Sequence, residues 1–228
     1  MLPKLIIFNA VSLDGRINNF PADIGLFYSL VGRWKEDATL VGSGTALNTL
    51  GEIPAETDAD IEEAASAAKS NDGTLLVISD SRGQLKTWHY WKKLPYWKRF
   101  VSLCSKTTPS GHLEYLRKRN IDYIVAGDDR IDYKAALEEL NNRYGVKTVR
   151  ADSGGTLNGI LLRTGLVDEL SLLIHPALVG GISQKTFFRD HGLTPDEKPL
   201  QLELIHSETL NNNIIWLIYE LKNNLKKH

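Results

Sequence analysis

The chain has 228 residues, 42% of them hydrophobic and 24% charged, with a formal net charge of −1. That makeup belongs to a soluble globular protein, and a chain of this length buries about 70% of its unfolded surface without needing staples. The near-zero charge gives no overall basic field for nucleic acid or an anionic membrane, and a single cysteine, Cys104, excludes an intrachain disulfide framework or a multi-thiolate zinc site. No stretch reaches the ~20 apolar residues of a membrane span, and the start lacks the basic region of a secretion signal. A soluble cytoplasmic protein is the expectation.

In chain order, KLIIFNA (4–10) reads as a buried strand, LFYSLVGRWKED (26–37) as a helix and ATLVG (38–42) as a short strand. The acidic, alanine-rich stretch 51–73 reads as a solvated helix and loop. GTLLVIS (73–79), KRFVSLC (98–104), IDYIVAG (121–127) and VKTVRA (146–151) are further strands. Between them 110–120 and 132–145 carry helical spacing, with Asp132 as N-cap and Gly145 beyond the C-terminus. This alternation predicts one α/β domain over 1–228, with a mainly parallel mixed sheet and helices on both faces. The last three strand-like segments, 168–180, 200–210 and 214–222, have only SQKTFFRDHG and TPDEKP between them, apart from the LNNN turn. LNNN (210–213) is a hairpin turn, so an antiparallel C-terminal edge is expected.

Three strand ends carry residues suited to phosphate. ADSGGTLNGILL places Gly154 and Gly155 where a strand gives way to a helix. Unpaired amides there carry the positive end of the helix dipole, and glycine lets backbone approach an anion. A plain tight turn explains the same letters equally well. LVGSGTALNTL repeats the arrangement with Gly42, Gly44 and Thr45, the last able to cap a helix or donate to a phosphate oxygen. VISDSRGQL offers Ser79, Ser81 and Arg82, and a guanidinium beside hydroxyls suits a 2′-phosphate. Neither a Walker A loop nor the Rossmann glycine spacing is present.

Among residues that could meet a substrate, Asn9 can donate and accept, and Asp14 could give a proton or orient a group; an Asp-Gly turn explains Asp14 as well. Asp152 could bind ring nitrogens or simply cap a helix, and Arg33 is a further candidate. The basic and aromatic stretch 86–100 fits a core flank or subunit contact better than nucleic acid. The six histidines show no pairing at metal-ligand spacing, and no metal is expected.

NAVSLDGRI, DATLVGSGT and above all 121–181 resemble, in that order, the reductase domain of riboflavin biosynthesis. The resemblance covers most of the chain and implies a dihydrofolate-reductase-like fold. It implies NADPH-dependent reduction of the ribose of a 5′-phosphoribosylaminopyrimidinone to ribityl, with hydride delivered to C1′ of a ring-opened imine. The stand-alone form is the closer match, because one cysteine and this length leave no room for a zinc deaminase domain. Carried over by position, cofactor contacts fall on Ala10, Thr45, Thr49, Ser81 and the run Gly154, Gly155, Thr156, Leu157, Asn158, Gly159 and Ile160, with Arg82 added from its chemistry. Substrate contacts fall on Arg33 and Asp152, with Asn9 added from its chemistry, and Asp14 is the candidate proton donor. Members usually have Glu-Gly-Gly where this chain has Asp152-Ser153-Gly154, and Thr49 stands where they have Asp, with a substrate-binding Arg missing nearby. Alternatives are a reductase of another pterin-like or pyrimidine compound, and a non-catalytic nucleotide-binding protein of the same fold. A homodimer is expected, because 168–180 is almost continuously apolar and 213–222 would be an exposed terminal strand.

Overall fold

The computed structural model describes residues 1–48, 53–67, 70, 72–181, 185–190 and 198–222. They form two compact units, Met1–Pro3 with Asp37–Lys147, and Lys4–Glu36 with Thr148–His228.

In the first unit, β2 (Ala38–Gly42), β3 (Leu75–Ser79), β4 (Arg99–Cys104) and β5 (Asp122–Val125) pair in parallel in the order β5-β4-β3-β2. Every residue of β3 is buried, as parallel strands covered on both faces require. The helices are α2 (Ser43–Asn48), α3 (Asp58–Ser66), α4 (Trp88–Lys93), α5 (Ser110–Lys118) and α6 (Tyr133–Tyr144). α3 starts in a capping box of Thr57 and Asp60. α6 starts where Asp132 accepts from the Ala135 amide and ends at left-handed Gly145, both as expected. Of the 86–100 aromatics, Trp88 and Trp91 of α4 are core and pack with Leu76, Ile78 and Leu116, Trp97 and Phe100 flank that core, and Tyr96 is exposed.

In the second unit, β6 (Thr148–Ala151), β1 (Lys4–Ser12) and β7 (Glu169–His175) run parallel, followed by antiparallel β9 (Ile215–Leu221) and β8 (Leu202–Thr209). Leu5, Ile6, Ile7 and Phe8 have no exposed surface, and each contributes roughly 1.5–3 kcal/mol through burial. The remaining helices are α1 (Ile24–Val31) and α7 (Gly155–Arg163). Helix α1 is shorter than 26–37 and starts earlier. Asp23 caps it by accepting from the Leu26 amide and Gly32 ends it, although apolar spacing continues to Trp34.

The expected antiparallel edge exists, with a different strand on the outside. β9 lies between β7 and β8, so the terminal segment is not the edge. β7 is apolar because β1 and β9 flank it and this unit covers it, which is not by itself a sign of a partner. The edge strand is β8, joined to β9 by a turn in which Asn212 and Asn213 take positive φ. Its pairing shifts register between Leu204 and His206, a bulge of the kind that blunts sheet edges. Among the described residues, no helix is long and apolar enough to cross a membrane.

Candidate functional site

In the second unit the site begins where β6 stops. Ile7 of β1 pairs with Ala151, the β1–β6 pairing stops there, and the chain turns over Asp152–Gly154 while β1 continues beside β7. Asn9 Nδ2 donates to the Ser153 carbonyl at 3.0 Å, and Asn158 Nδ2 donates to Asn9 Oδ1 at 2.7 Å and to the Phe187 carbonyl at 2.8 Å. Asn9 therefore has both ends of its amide committed inside the fold, where it fixes the turn; this argues against the expected substrate contact. Asn158 Oδ1 is buried without a partner among the described residues, an acceptor left over beneath the turn.

Gly154, in extended conformation, is the N-cap of α7, and no side chain caps the helix. Asp152 is thus not the cap. Its Oδ2 accepts from Arg150 Nη1 at 2.9 Å, and its side chain stays partly exposed. Along α7, Thr156 and Ile160 are exposed, Gly154 is half-buried, and Gly155, Leu157, Asn158 and Gly159 are buried. Gly155 and Gly159 have a use other than phosphate. A Cβ on Gly155 would stand 2.3 Å from the Thr186 carbonyl oxygen, and one on Gly159 would stand 2.0 Å from that of Arg189. The chain lies directly on the helix there, and the Arg189 amide bonds the Gly155 carbonyl at 3.0 Å. At the helix start itself, Gly155 and Thr156 present their amides in the first turn, the part of α7 that suits an anion.

Asp14 is misassigned as a proton donor. Its carboxylate accepts from the Ser12 hydroxyl at 2.6 Å and from the amides of Val179 at 3.1 Å and Gly180 at 2.8 Å, with Arg16 at 3.5 Å. The Ser12 hydroxyl, then the two amides, hold the carboxyl well below the usual carboxylate range. It fastens the 12–16 turn to 179–180. Arg33 is not gathered with Asp152 either. Its guanidinium lies 5.3 Å from the Trp216 ring centre. The residue shares a hollow with Lys4, Thr148 and Glu169, the first residues of β1, β6 and β7, whereas Asp152 follows the carboxyl end of β6. Ala10 is half-buried beside Leu173. At the end of β7, His175 Nε2 accepts from the Asp23 amide at 3.0 Å and Nδ1 lies 3.1 Å from the Leu173 carbonyl. Both ring nitrogens are thus engaged inside the fold.

In the first unit, α2 starts at Ser43, so Thr45 sits inside the first turn and does not cap it. Thr49 lies outside the described residues. The Ser79 hydroxyl meets the Tyr133 hydroxyl at 2.6 Å. After it, the Asp80 carboxylate accepts from the amides of Gln84 at 3.1 Å and Leu85 at 2.8 Å, and the Thr108 hydroxyl donates to the Ser81 carbonyl at 2.8 Å. These bonds fix a turn that presents Ser81 half-buried and Arg82 exposed. Behind it His112 is buried, with Nε2 3.6 Å from Asp80 and Nδ1 3.0 Å from Lys86 Nζ. Burial first, then the Lys86 charge, lowers the affinity of His112 for a proton, against the pull of Asp80.

The residues missed in the sequence are those that brace others: Arg150, Glu36, Asp80, Thr108 and His112. A charged residue inside the apolar strand VRA was the only signal for Arg150. Its partner Glu36 lies 114 positions away, beyond any local pattern.

A family model described as the RibD C-terminal domain matches residues 3–216. The chain is 30% identical over 223 residues to the 2,5-diamino-6-ribosylamino-4(3H)-pyrimidinone 5′-phosphate reductase of Methanothermobacter thermautotrophicus, covering 94% of this chain and 97% of that one. Among solved structures, a pyrimidine reductase-like protein from Corynebacterium diphtheriae aligns with a TM-score of 0.70 at 16% identity, over 96% of this chain and 92% of that one. Dihydrofolate reductase from Enterococcus faecalis aligns with a TM-score of 0.50 at 10% identity, over 96% and 97%. These likenesses give the dihydrofolate-reductase-like fold.

Proposed function

Because the chain belongs to the RibD C-terminal domain family, we propose that it is an NADPH-dependent reductase of riboflavin biosynthesis, acting on a 5′-phosphoribosylaminopyrimidinone. The observation that supports this most is the β6–α7 junction. There a helix start that no side chain caps stands next in sequence to a carboxylate whose one partner among the described residues is Arg150. The residues present fit a dinucleotide: the first amides of α7 suit a phosphate, and exposed Thr156 and Ile160 border them. NADPH, when bound, supplies the hydride. The chain's own part is to bind and orient. Asp152 accepts from a ring N–H of the pyrimidine, and Thr45, Ser81 and Arg82 take up cofactor oxygens, with Arg82 on the 2′-phosphate.

The test is oxidation of NADPH, followed at the reduced-nicotinamide absorbance, with the pyrimidine phosphate as substrate. Turnover in the wild type and its near loss in Asp152→Asn, at unchanged NADPH affinity, support the reading; no turnover overturns it. Calorimetry with NADPH and NADH should show Arg82→Ala narrowing the gap between them by about 1–3 kcal/mol. The reading places the enzyme in the cytoplasm, which cell fractionation checks.

We also propose a homodimer, now on β8 and not on β9. Leu202, Leu204 and Ile205 stand 37%, 50% and 49% exposed on this edge strand, more apolar surface than a lone edge usually carries. A second copy covers such an edge with closed symmetry. Light scattering at micromolar concentration should give twice the chain mass; the mass of one chain rejects the dimer.

A further inference from the structure

Arg150 is 2% exposed on β6, between the fully buried apolar residues Val149 and Ala151. A buried guanidinium costs several kcal/mol unless it is fully paired, and an apolar side chain of similar size would fill the same space without that cost. Here the pairing is complete on two sides. Glu36 takes Nε and Nη2 in a fork, the latter at 3.1 Å, and Asp152 takes Nη1 at 2.9 Å. Burial opposes the charge, and Asp152 and Glu36 outweigh it. Glu36 is itself only 9% exposed in its side chain, whereas Asp152 is 30% exposed. The network therefore runs from a buried anchor through a rigid planar fork to a carboxylate at the surface of the turn. It is directional, and its outer end is the residue assigned to the substrate.

We propose that Arg150, braced by Glu36, is a positioning residue. It holds Oδ2 of Asp152 and so presents Oδ1 as a fixed acceptor for a ring N–H of the pyrimidine. An aspartate directly after a strand otherwise rotates freely about two torsions. Tying one oxygen to a planar fork removes that freedom before the substrate arrives, which is preorganisation in its usual form. The fork's geometry matters as well as its charge, so Lys at 150 replaces it only in part. This inference rests on the proposed reductase reading for the identity of the ligand.

The test measures dissociation constants for the pyrimidine phosphate and, separately, for NADPH. The variants are Arg150→Met/Glu36→Gln, which removes the network as a unit and spares the fold an unpaired buried charge, and Arg150→Lys. Each is also made with Asp152→Asn. The double variant should bind the pyrimidine about tenfold or more weakly, the scale of one charge-assisted bond. NADPH affinity should not change, and Arg150→Lys should fall between. With Asp152→Asn already present, the double change should add little. Unchanged pyrimidine affinity, an equal loss in the Asp152→Asn background, or a parallel loss of NADPH overturns the positioning role. If the double variant does not fold, Arg150→Lys with wild-type pyrimidine affinity also overturns it. A wild type that binds the pyrimidine yet oxidises no NADPH overturns the reductase reading alone; one that binds no pyrimidine overturns both.

Discussion

The β2–α2 and β6–α7 junctions look alike in sequence: a short strand, two glycines within three positions, a threonine and a helix. They differ in what occupies the space beside the glycines. At Gly44 an added Cβ would meet nothing within 4 Å, and α2 buries only Ala46. At Gly155 and Gly159 the same atom would strike backbone carbonyls, and α7 buries six of its nine residues. One glycine-rich strand end leaves open space at Gly44, and the other is a packing contact between a helix and the chain segment 186–189. The same letters therefore carry different tolerance, and space for a ligand must be sought where the chain has not already filled it.

The contrast can be broken most directly at Gly159. Gly159→Ala puts a methyl group 2.0 Å from the Arg189 carbonyl oxygen, and the backbone has to move, at a cost of about 3 kcal/mol. Urea denaturation should show that loss at every pH; a loss under about 1 kcal/mol would show that 186–189 yields easily.

A third strand end, the Asp80–Leu85 turn, is fastened by ionisable groups and should answer to acid where the glycine contact does not. His112 has its proton affinity lowered from an ordinary 6.5 by burial and by Lys86. The unfolded chain then binds more protons than the folded one, so this contribution is present above about pH 6.5 and is lost as pH falls through the lower folded value. His112→Asn should give a shallower decline of stability on acidification than the wild type. Equal slopes would remove His112 as the cause.

The smallest effect belongs to Gly44→Ala. With space available and a helical position, stability should rise by about 0.5–1 kcal/mol. A simultaneous fall in NADPH affinity would show that the bare backbone at 44 is kept for a ligand.

What was legible in the sequence was local. Asp132 and Gly145 bound α6 because a cap and a left-handed stop act within a few residues. The four parallel strands of the first unit were readable as apolar runs. The order of the last strands was not, since β9 is interior and β8 the edge, and apolar content alone does not say which strand lies outside. At the site, the change from strand to helix across Asp152–Gly155 was legible as β6 giving way to α7. Asp14 misled because a carboxylate after Ser12 reads equally as a proton donor or as the acceptor for a turn and a distant loop. Arg150 stayed hidden because its role depends on Glu36, far away in the chain.

The glycine face of α7 also bears on when the helix can form. Nine residues with two glycines make a weak helix in isolation, each glycine costing about 1 kcal/mol relative to alanine. Its covering segment, Thr186–Arg189, leaves the ribosome some thirty residues after the helix begins. Until then the groove along Gly155 and Gly159 has nothing to hold it. Helix α7 should therefore be a late structure, consolidated together with its cover. Pulsed hydrogen exchange during refolding should find the α7 amides protected no sooner than that of Arg189, which bonds the Gly155 carbonyl. Earlier protection in α7 would mean that the helix, poor as its sequence is, forms first and recruits the segment that lies on it.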